Sequence, residues 1–353
     1  MNIAPRALEA LVTRVLTAAG AADAVAREVA AHLVTANLKG HDSHGVGMIP
    51  AYVHNLRNDR LDPHAHARVA RDNGAVMLVD GGMGFGQVVG REATELALAR
   101  ARETGLVCVG VRNCHHLGRV GTYGEICGEA GYVSVHFVNV VGHEPQVSPF
   151  GGRERRMTTN PFCCVVPRAD ADPLVLDMAT SAIALGKVRV AHMKGERVAD
   201  GALVDHQGVP TSDPAVMFEE PLGALGPFGG HKGYGLAVMC ELLGGALAGE
   251  WTAQPEHPRD TSIVNHMLMF VLDPDAFGGR ERFEHEVEAM VAYLHDTTPA
   301  RGYDRVRLPG EPEQECRQQR HDRIPVDDNT WAGLMKAAEV VGLSDAEVRT
   351  LTR

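Results

Sequence analysis

Apolar residues recur at helical spacing near the start of the chain. Leu8, Leu11, Val12, Val15 and Leu16 share one face, with Glu9 and Arg14 between them, which predicts an amphipathic helix. Val25, Val29 and Leu33 mark a second helix, with Gly40 placed to close it. The segment GHDSHG at 40–45 reads as a loop, and a further helix is expected to carry Tyr52 and Leu56. From residue 75 the period changes. Strand-like runs AVMLV, LVCVGV, YVSVHFVNV, FCCVVP and LVLDM alternate with helical runs around 88–104, 121–130 and 182–194. Gly105 and Gly131 stand where helices should end, directly before strands. A Gly-rich stretch, GALGPFGGHKGYG, leads into an apolar helix over 234–248. A strand, MLMFVL, then precedes a charged amphipathic helix over 281–295. The tail returns to helices, with Ser344 and Glu347 spaced for a capping box.

This order of elements predicts a helical domain built from both chain ends, residues 1–72 plus 300–353, around an α/β domain over 73–299. At 353 residues the chain is too long for one ordinary core. Its 44% apolar and 22% charged content is that of a globular protein. The balance is acidic, 34 basic against 45 acidic side chains, and no basic stripe interleaved with aromatics occurs. No nucleic-acid partner is therefore expected, and an anionic ligand would need a locally positive site. The amphipathic first helix is not read as a targeting segment. No run of 18 apolar residues occurs, so no membrane span is expected. Seven cysteines, two of them adjacent at Cys163-Cys164, fit reduced thiols and a cytoplasmic location better than a disulfide framework.

The segment VMLVDGGMGFGQVVG places Gly82, Gly84 and Gly86 where a Rossmann phosphate loop would lie, but the G-x-G-x-x-G spacing demands glycine at Val89. The following strand ends at Arg112-Asn113 instead of an acid that could hold a ribose. A tight strand-to-helix turn is the better reading. Four polar clusters stand out in Gly-rich surroundings: HDSHG at 41–45, NCHHLGR at 113–119, LDMATS at 176–181 and GGHKGYG at 229–235. Adjacent His115-His116 should diverge, and His41 and His44 lack an H-E-x-x-H frame, so no metal is expected. A ketone–alcohol couple suits the residues better. Its oxygen must gain or lose a proton, and a histidine near neutral pH can handle that proton. His44 and His116, each read as lying in a Gly-flanked loop, are the candidates. Asp177 or Asp42 can fix the histidine and favour its charged form, although Asp177 can also simply cap a helix starting near Thr180-Ser181.

Taken together, GHDSHGVGMIPAYV, DGGMGFGQ, NCHHLGRVG, GGRERRMTTNPF, PLVLDMATSAIALGKV, GPFGGHKGYGLA and LPGE closely resemble the malate/L-lactate dehydrogenase family of the non-Rossmann, L-sulfolactate dehydrogenase-like type. They sit nearest its hydroxycarboxylate dehydrogenase branch. The resemblance implies an α/β fold with a non-Rossmann mixed-sheet cofactor domain, NAD or NADP (NADH/NADPH) as cofactor, and a homodimer with a shared active site. It implies a small-molecule 2-oxo or 2-hydroxy acid as substrate, of the phenylpyruvate, hydroxyphenylpyruvate or 2-oxoglutarate type. His44 would be the acid/base, with His116 beside nicotinamide and substrate. Ser43, Met48 and Tyr52 are expected against the substrate. Gly118, Arg119, Val120, Val175, Leu176, Asp177, Met178 and Ala179 would line the cofactor together with His44. His231 and Lys232 in the HKG turn, Asn265, and Leu308, Pro309, Gly310 and Glu311 would complete that site.

Many members of the family carry arginine four residues after the histidine, where it can clamp a carboxylate. This chain has Met48 there. A neutral thioether favours an apolar side chain on the substrate, which ranks malate, ureidoglycolate and sulfolactate below aryl or alkyl 2-oxo acids. A cyclic imine such as piperideine-2-carboxylate is an alternative substrate within the family. A non-catalytic nucleotide-binding protein is the alternative outside it.

Overall fold

Pro5 occupies the first turn of α1 (Pro5–Ala18), where its missing N–H costs nothing. The stripe from Leu8 to Leu16 buries completely against α2 (Asp23–Leu38). In the computed structural model, described over residues 1–260 and 262–352, two 3₁₀ turns, Asp42–His44 and Val46–Met48, then lead into α3 (Ile49–Arg57). The next strand is β1 (Arg68–Asn73), exposed along its whole length. Its charged sequence shows no apolar alternation, so the pattern did not announce it; charge on an edge strand also discourages pairing with other chains.

The middle of the chain follows the alternating pattern. β2 (Val76–Asp80), α4 (Gly86–Thr104), β3 (Leu106–His115), α5 (Gly121–Glu129), β4 (Val133–Val141), β5 (Phe162–Val166) and β6 (Leu174–Met178) come in that order. Gly105 and Gly131 have φ of +74° and +83° and end α4 and α5, as expected. After α6 (Leu185–Lys194), α7 (His231–Cys240) runs on as a π-helix over Glu241–Ala248. Gly244 and Gly245 have no room for a Cβ against Phe137, Asn139 and Trp251, so the widened turn presses closely onto β4. β7 (Val264–Leu272), α8 (Arg280–His295), α9 (Glu311–Arg320), α10 (Asp328–Val340) and α11 (Asp345–Leu351) complete the chain. The expected capping box at Ser344 and Glu347 is present.

Among the described residues these seven strands form the largest of three sheets, in the order β1-β2-β3-β7-β4-β5-β6. Only β2 and β3, joined through α4, are parallel; every other pair is antiparallel. This mixed sheet bears out the expectation of a non-Rossmann α/β fold. β3 runs further than its apolar pattern suggests, because β7 pairs with it through Cys114 and His115 across a bulge between Asn265 and Met267. The NCHH segment therefore lies on the end of a strand, with Asn113 at φ +52° turning it.

One core joins Leu8, Leu11, Val29 and Leu33 to Ile324, Leu334 and Val348, so the two chain ends pack together; Phe85 and Val88 enter it from the middle. A second core lies between the sheet and helices α4 and α5. Among the described residues no helix is long and apolar enough to cross a membrane.

Candidate active site

The turn that carries His44 is built from the end of α2. Asn37 accepts the Val46 N–H at 2.9 Å and donates to Asp42 at 2.7 Å. A Cβ on Gly45 would overlap the Asn37 amide, so only glycine lets the turn close this tightly. From α9, Arg320 donates to Asp42 at 2.8 Å and to the Asn37 carbonyl at 2.6 Å. Asp42 is thus used in shaping the turn. His44 Nδ1 lies 3.1 Å from the Ser43 hydroxyl. Its ring stacks on that of His116, with centroids 5.6 Å apart and planes at 18°.

His115 and His116 sit where β3 meets α4. A Cβ on Gly86 would collide with both of their carbonyls, so this glycine lets the helix start against the strand end. Both rings pack edge-on against Tyr52, with centroids 5.3 and 6.0 Å from its ring. His115 Nε2 receives the Asn55 amide at 2.9 Å, while His116 Nδ1 lies 2.7 Å from the Tyr52 hydroxyl. Gln87 donates to that hydroxyl at 2.7 Å. Tyr52, expected against substrate, is wholly buried behind His116. Asn265 pins the next turn by accepting the Leu117 N–H at 2.8 Å and donating to the Asn139 carbonyl at 2.9 Å.

Beyond Gly118 a buried charge cluster begins. The Arg119 guanidinium lies 2.9 Å from Glu125 and 3.7 Å from Asp177, and Lys39 pairs with Glu125 at 2.6 Å. Among the described residues all three guanidinium nitrogens are nevertheless without an aligned acceptor. Asp177 accepts the Gly121 N–H at 2.8 Å and so caps α5, not the helix that follows it in sequence. Among the described residues neither Asp177 nor Asp42 hydrogen-bonds His44. Asp177 acts on His44 through its field.

That field is outweighed. Burial lowers the His44 pKa to about 4; Asp177 raises it, and His41 and Arg119 lower it further. Burial also lowers His32 and His115 to about 3, His136 and His266 to about 4, and His116 well below its ordinary value. The native state refuses protons that the unfolded chain accepts below about pH 6.5. Stability should therefore hold above that pH and fall as pH drops through it. Each buried histidine contributes up to about 1.4 kcal/mol per pH unit in that window. The urea midpoint is expected to be clearly lower at pH 5 than at pH 7.5; equal midpoints would contradict neutral burial of these rings.

The remaining candidates are spread over β6, the turn at 308–311, the start of α7 and the turns before α3. On edge strand β6, Val175 and its neighbours run through Asp177 to Ala179, with Leu176 38% exposed although apolar. The Val175 N–H donates to the Pro309 carbonyl at 3.0 Å, and Gly310, at φ +97°, lies too close to Val175 for a side chain to fit easily. Glu311 closes that turn by accepting the Leu308 N–H at 2.9 Å. Beyond β6, Phe228 donates to Thr180 and Ala182 to Gly226, which sets the start of α7 beside it. His231 and Lys232 are exposed there. Met48 is half-buried and packs on the helical core. Ser43 is exposed, whereas Val120 is buried.

Sequence reasoning missed His32, Lys39, Gln87 and Glu125. His32 accepts the Arg119 N–H at 3.1 Å. Gln87 stood inside the DGGMGFGQ motif, the one available signal; Lys39 and Glu125 are helix residues whose pairing no local pattern reveals. Two cavities lie elsewhere: one of about 360 Å³ between β4, β7 and α8, and one of about 600 Å³ beside α1. Among the described residues no cluster of three or more His, Cys, Asp or Glu is placed to hold a metal ion.

The sequence model of the malate/L-lactate dehydrogenase family matches residues 3–335. Hydroxycarboxylate dehydrogenase B of Escherichia coli K12 is 44% identical over 344 residues, which cover 96% of this chain and 94% of that one. An L-lactate dehydrogenase of Cupriavidus necator is 43% identical over 321 residues, covering 91% and 92%. A solved structure described as a candidate malate/lactate dehydrogenase from E. coli superimposes with a TM-score of 0.94 at 42% identity, covering 99% of this chain and 98% of that one.

Proposed function

Because this chain belongs to the malate/L-lactate dehydrogenase family, we propose that it is an NAD(P)-dependent 2-hydroxycarboxylate dehydrogenase that reduces 2-oxo acids of the phenylpyruvate, hydroxyphenylpyruvate or 2-oxoglutarate type. The observation that carries this reading is the stacked His44–His116 pair, adjacent to a buried cation and the exposed face of β6.

The residues fit a dinucleotide. Leu176 offers an apolar surface for a ring, Gly118 to Val120 and Val175 to Ala179 offer backbone groups, and Leu308 to Glu311 flank them. His231 and Lys232 at the start of α7 suit phosphate, since helix amides and a cation converge there. Lys39 and Arg119 offset Glu125 and Asp177, so the buried cluster adds no net negative charge beside an anionic ligand. Asn265 holds the turn at Leu117 in place. When bound, the reduced nicotinamide supplies the hydride.

His44 moves the proton. Unprotonated in the free protein at neutral pH, it is ready as the base that takes the hydroxyl proton from a 2-hydroxy acid. In the reducing direction the negative charge of Asp177, joined by the substrate carboxylate, favours its protonated form. His116 stays neutral beside it. We extend the reading to a cytoplasmic homodimer with a shared site. In support, the seven cysteines are free, and Met239, Leu242 and Leu247 are exposed on α7 and its π-helical continuation.

Met48 gives the substrate side no cation for a second carboxylate. A charge-assisted bond of that kind is worth about 10- to 100-fold. With either reduced cofactor, kcat/KM for phenylpyruvate is expected to exceed that for oxaloacetate by about that factor, and Met48→Arg should narrow the gap. Faster turnover of oxaloacetate by the unaltered protein would refute this assignment.

A further inference from the structure

Behind His116 lies a short hydrogen-bond chain with a direction. The Gln87 amide nitrogen can only donate, so the Tyr52 oxygen accepts from it at 2.7 Å. The phenolic proton then has one acceptor in reach among the described residues, Nδ1 of His116 at 2.7 Å. Tyr52 is 0% and Gln87 2% exposed, so water does not compete. A proton on His116 Nδ1 would also have to point at the phenol oxygen, leaving the hydroxyl hydrogen buried without a partner, which is costly. As the side chain stands, its amide nitrogen faces the hydroxyl and its carbonyl oxygen lacks a partner among the described residues; turned over, the oxygen would face the hydroxyl and the ring proton would sit on His116 Nδ1 instead, so the tautomer reports which way this amide points.

We propose that Gln87 and Tyr52 are positioning residues that hold His116 as the tautomer protonated on Nε2, so that it donates a hydrogen bond to the substrate oxygen and His44 alone moves the proton. No group of the chain occupies His116 Nε2 among the described residues, which leaves that N–H for a ligand. The near-parallel stacking at 5.6 Å supports this division, because two imidazolium rings face to face would repel strongly. The role assigned to the Nε2–H rests on the dehydrogenase reading; the tautomer itself does not.

The test is two-bond ¹H–¹⁵N correlation spectroscopy of histidine-labelled protein at neutral pH, with His116 assigned by loss of its signals in His116→Gln. Nε2–H is expected in the unaltered protein. Gln87→Glu replaces the donor by an acceptor, reverses the chain, and should move the His116 proton to Nδ1. Tyr52→Phe removes the link and should populate both tautomers. It should also lower kcat about 10- to 100-fold with KM changed no more than about threefold. A wild-type His116 protonated on Nδ1, or a tautomer unmoved by both substitutions, would overturn the proposal. So would a Tyr52→Phe effect confined to KM, since that would place Tyr52 on the substrate. If the tautomers behave as stated but no 2-oxo acid is turned over, the chain stands and the dehydrogenase reading fails.

Discussion

His44→Ala is expected to lower kcat for 2-oxo acid reduction by about 10²- to 10⁴-fold, the range for removal of a general acid. The fold should survive the change. His44 is half-buried and, among the described residues, its ring's one hydrogen-bonding contact is Ser43, whereas the turn around it is held by Asn37, Asp42 and Arg320. Thermal unfolding should therefore stay near that of the unaltered protein while turnover collapses. The residual rate should also lose its dependence on the His44 proton, so the log kcat/KM profile for hydroxy-acid oxidation should flatten on its acid side. A variant that kept a third or more of normal kcat would remove His44 from the chemistry.

The second large effect is on stability. Arg119→Met is expected to cost about 3–5 kcal/mol, because it takes one partner from a buried ionic cluster and leaves its carboxylates undercompensated. In the native protein Lys39 and Arg119 balance Glu125 and Asp177, and the Arg119 side chain is 1% exposed. After substitution Glu125 keeps Lys39 and Asp177 keeps the Gly121 N–H, but the cluster carries one excess negative charge. Urea unfolding at neutral pH should show the loss as a lower midpoint with little change in slope. A loss below about 1 kcal/mol would mean that the cluster is already wet, since exposed pairs contribute no more than that. The substitution should also impair activity, because Asp177 would no longer face a fixed cation.

How much of this was legible in the sequence depends on the range of the signal. Helical stripes such as Leu8 to Leu16 are local and announced themselves, as did the glycines ending α4 and α5 and the capping box at Ser344. The mixed sheet was implied by the resemblance to a known family; the failed dinucleotide spacing at Val89 spoke only against a Rossmann phosphate loop. What escaped was set by contacts between distant segments. The pairing of β7 with Cys114 and His115 extended a strand through residues that looked like a loop. Asp177 was read as a possible cap for the helix just after it, but caps α5, 56 residues earlier. The Tyr52, Gln87 and His116 contact and the Lys39 to Glu125 pair unite residues from different helices and a strand end, and no periodicity encodes them. β1 was invisible for the opposite reason: its pairing with β2 rests on backbone hydrogen bonds, and its side chains bury nothing.

Hydride transfer to the carbonyl carbon of a 2-oxo acid can be read in one reaction. The protein would be incubated with phenylpyruvate and nicotinamide cofactor deuterated at the transferring position, NADH and NADPH in separate tubes, and the hydroxy acid analysed by mass spectrometry and proton NMR. Phenyllactate carrying a single deuterium at C2, formed with at least one cofactor and lost with His44→Ala, is the result expected. Phenyllactate without deuterium, or no hydroxy acid from phenylpyruvate, hydroxyphenylpyruvate or 2-oxoglutarate with either cofactor, would contradict the assignment.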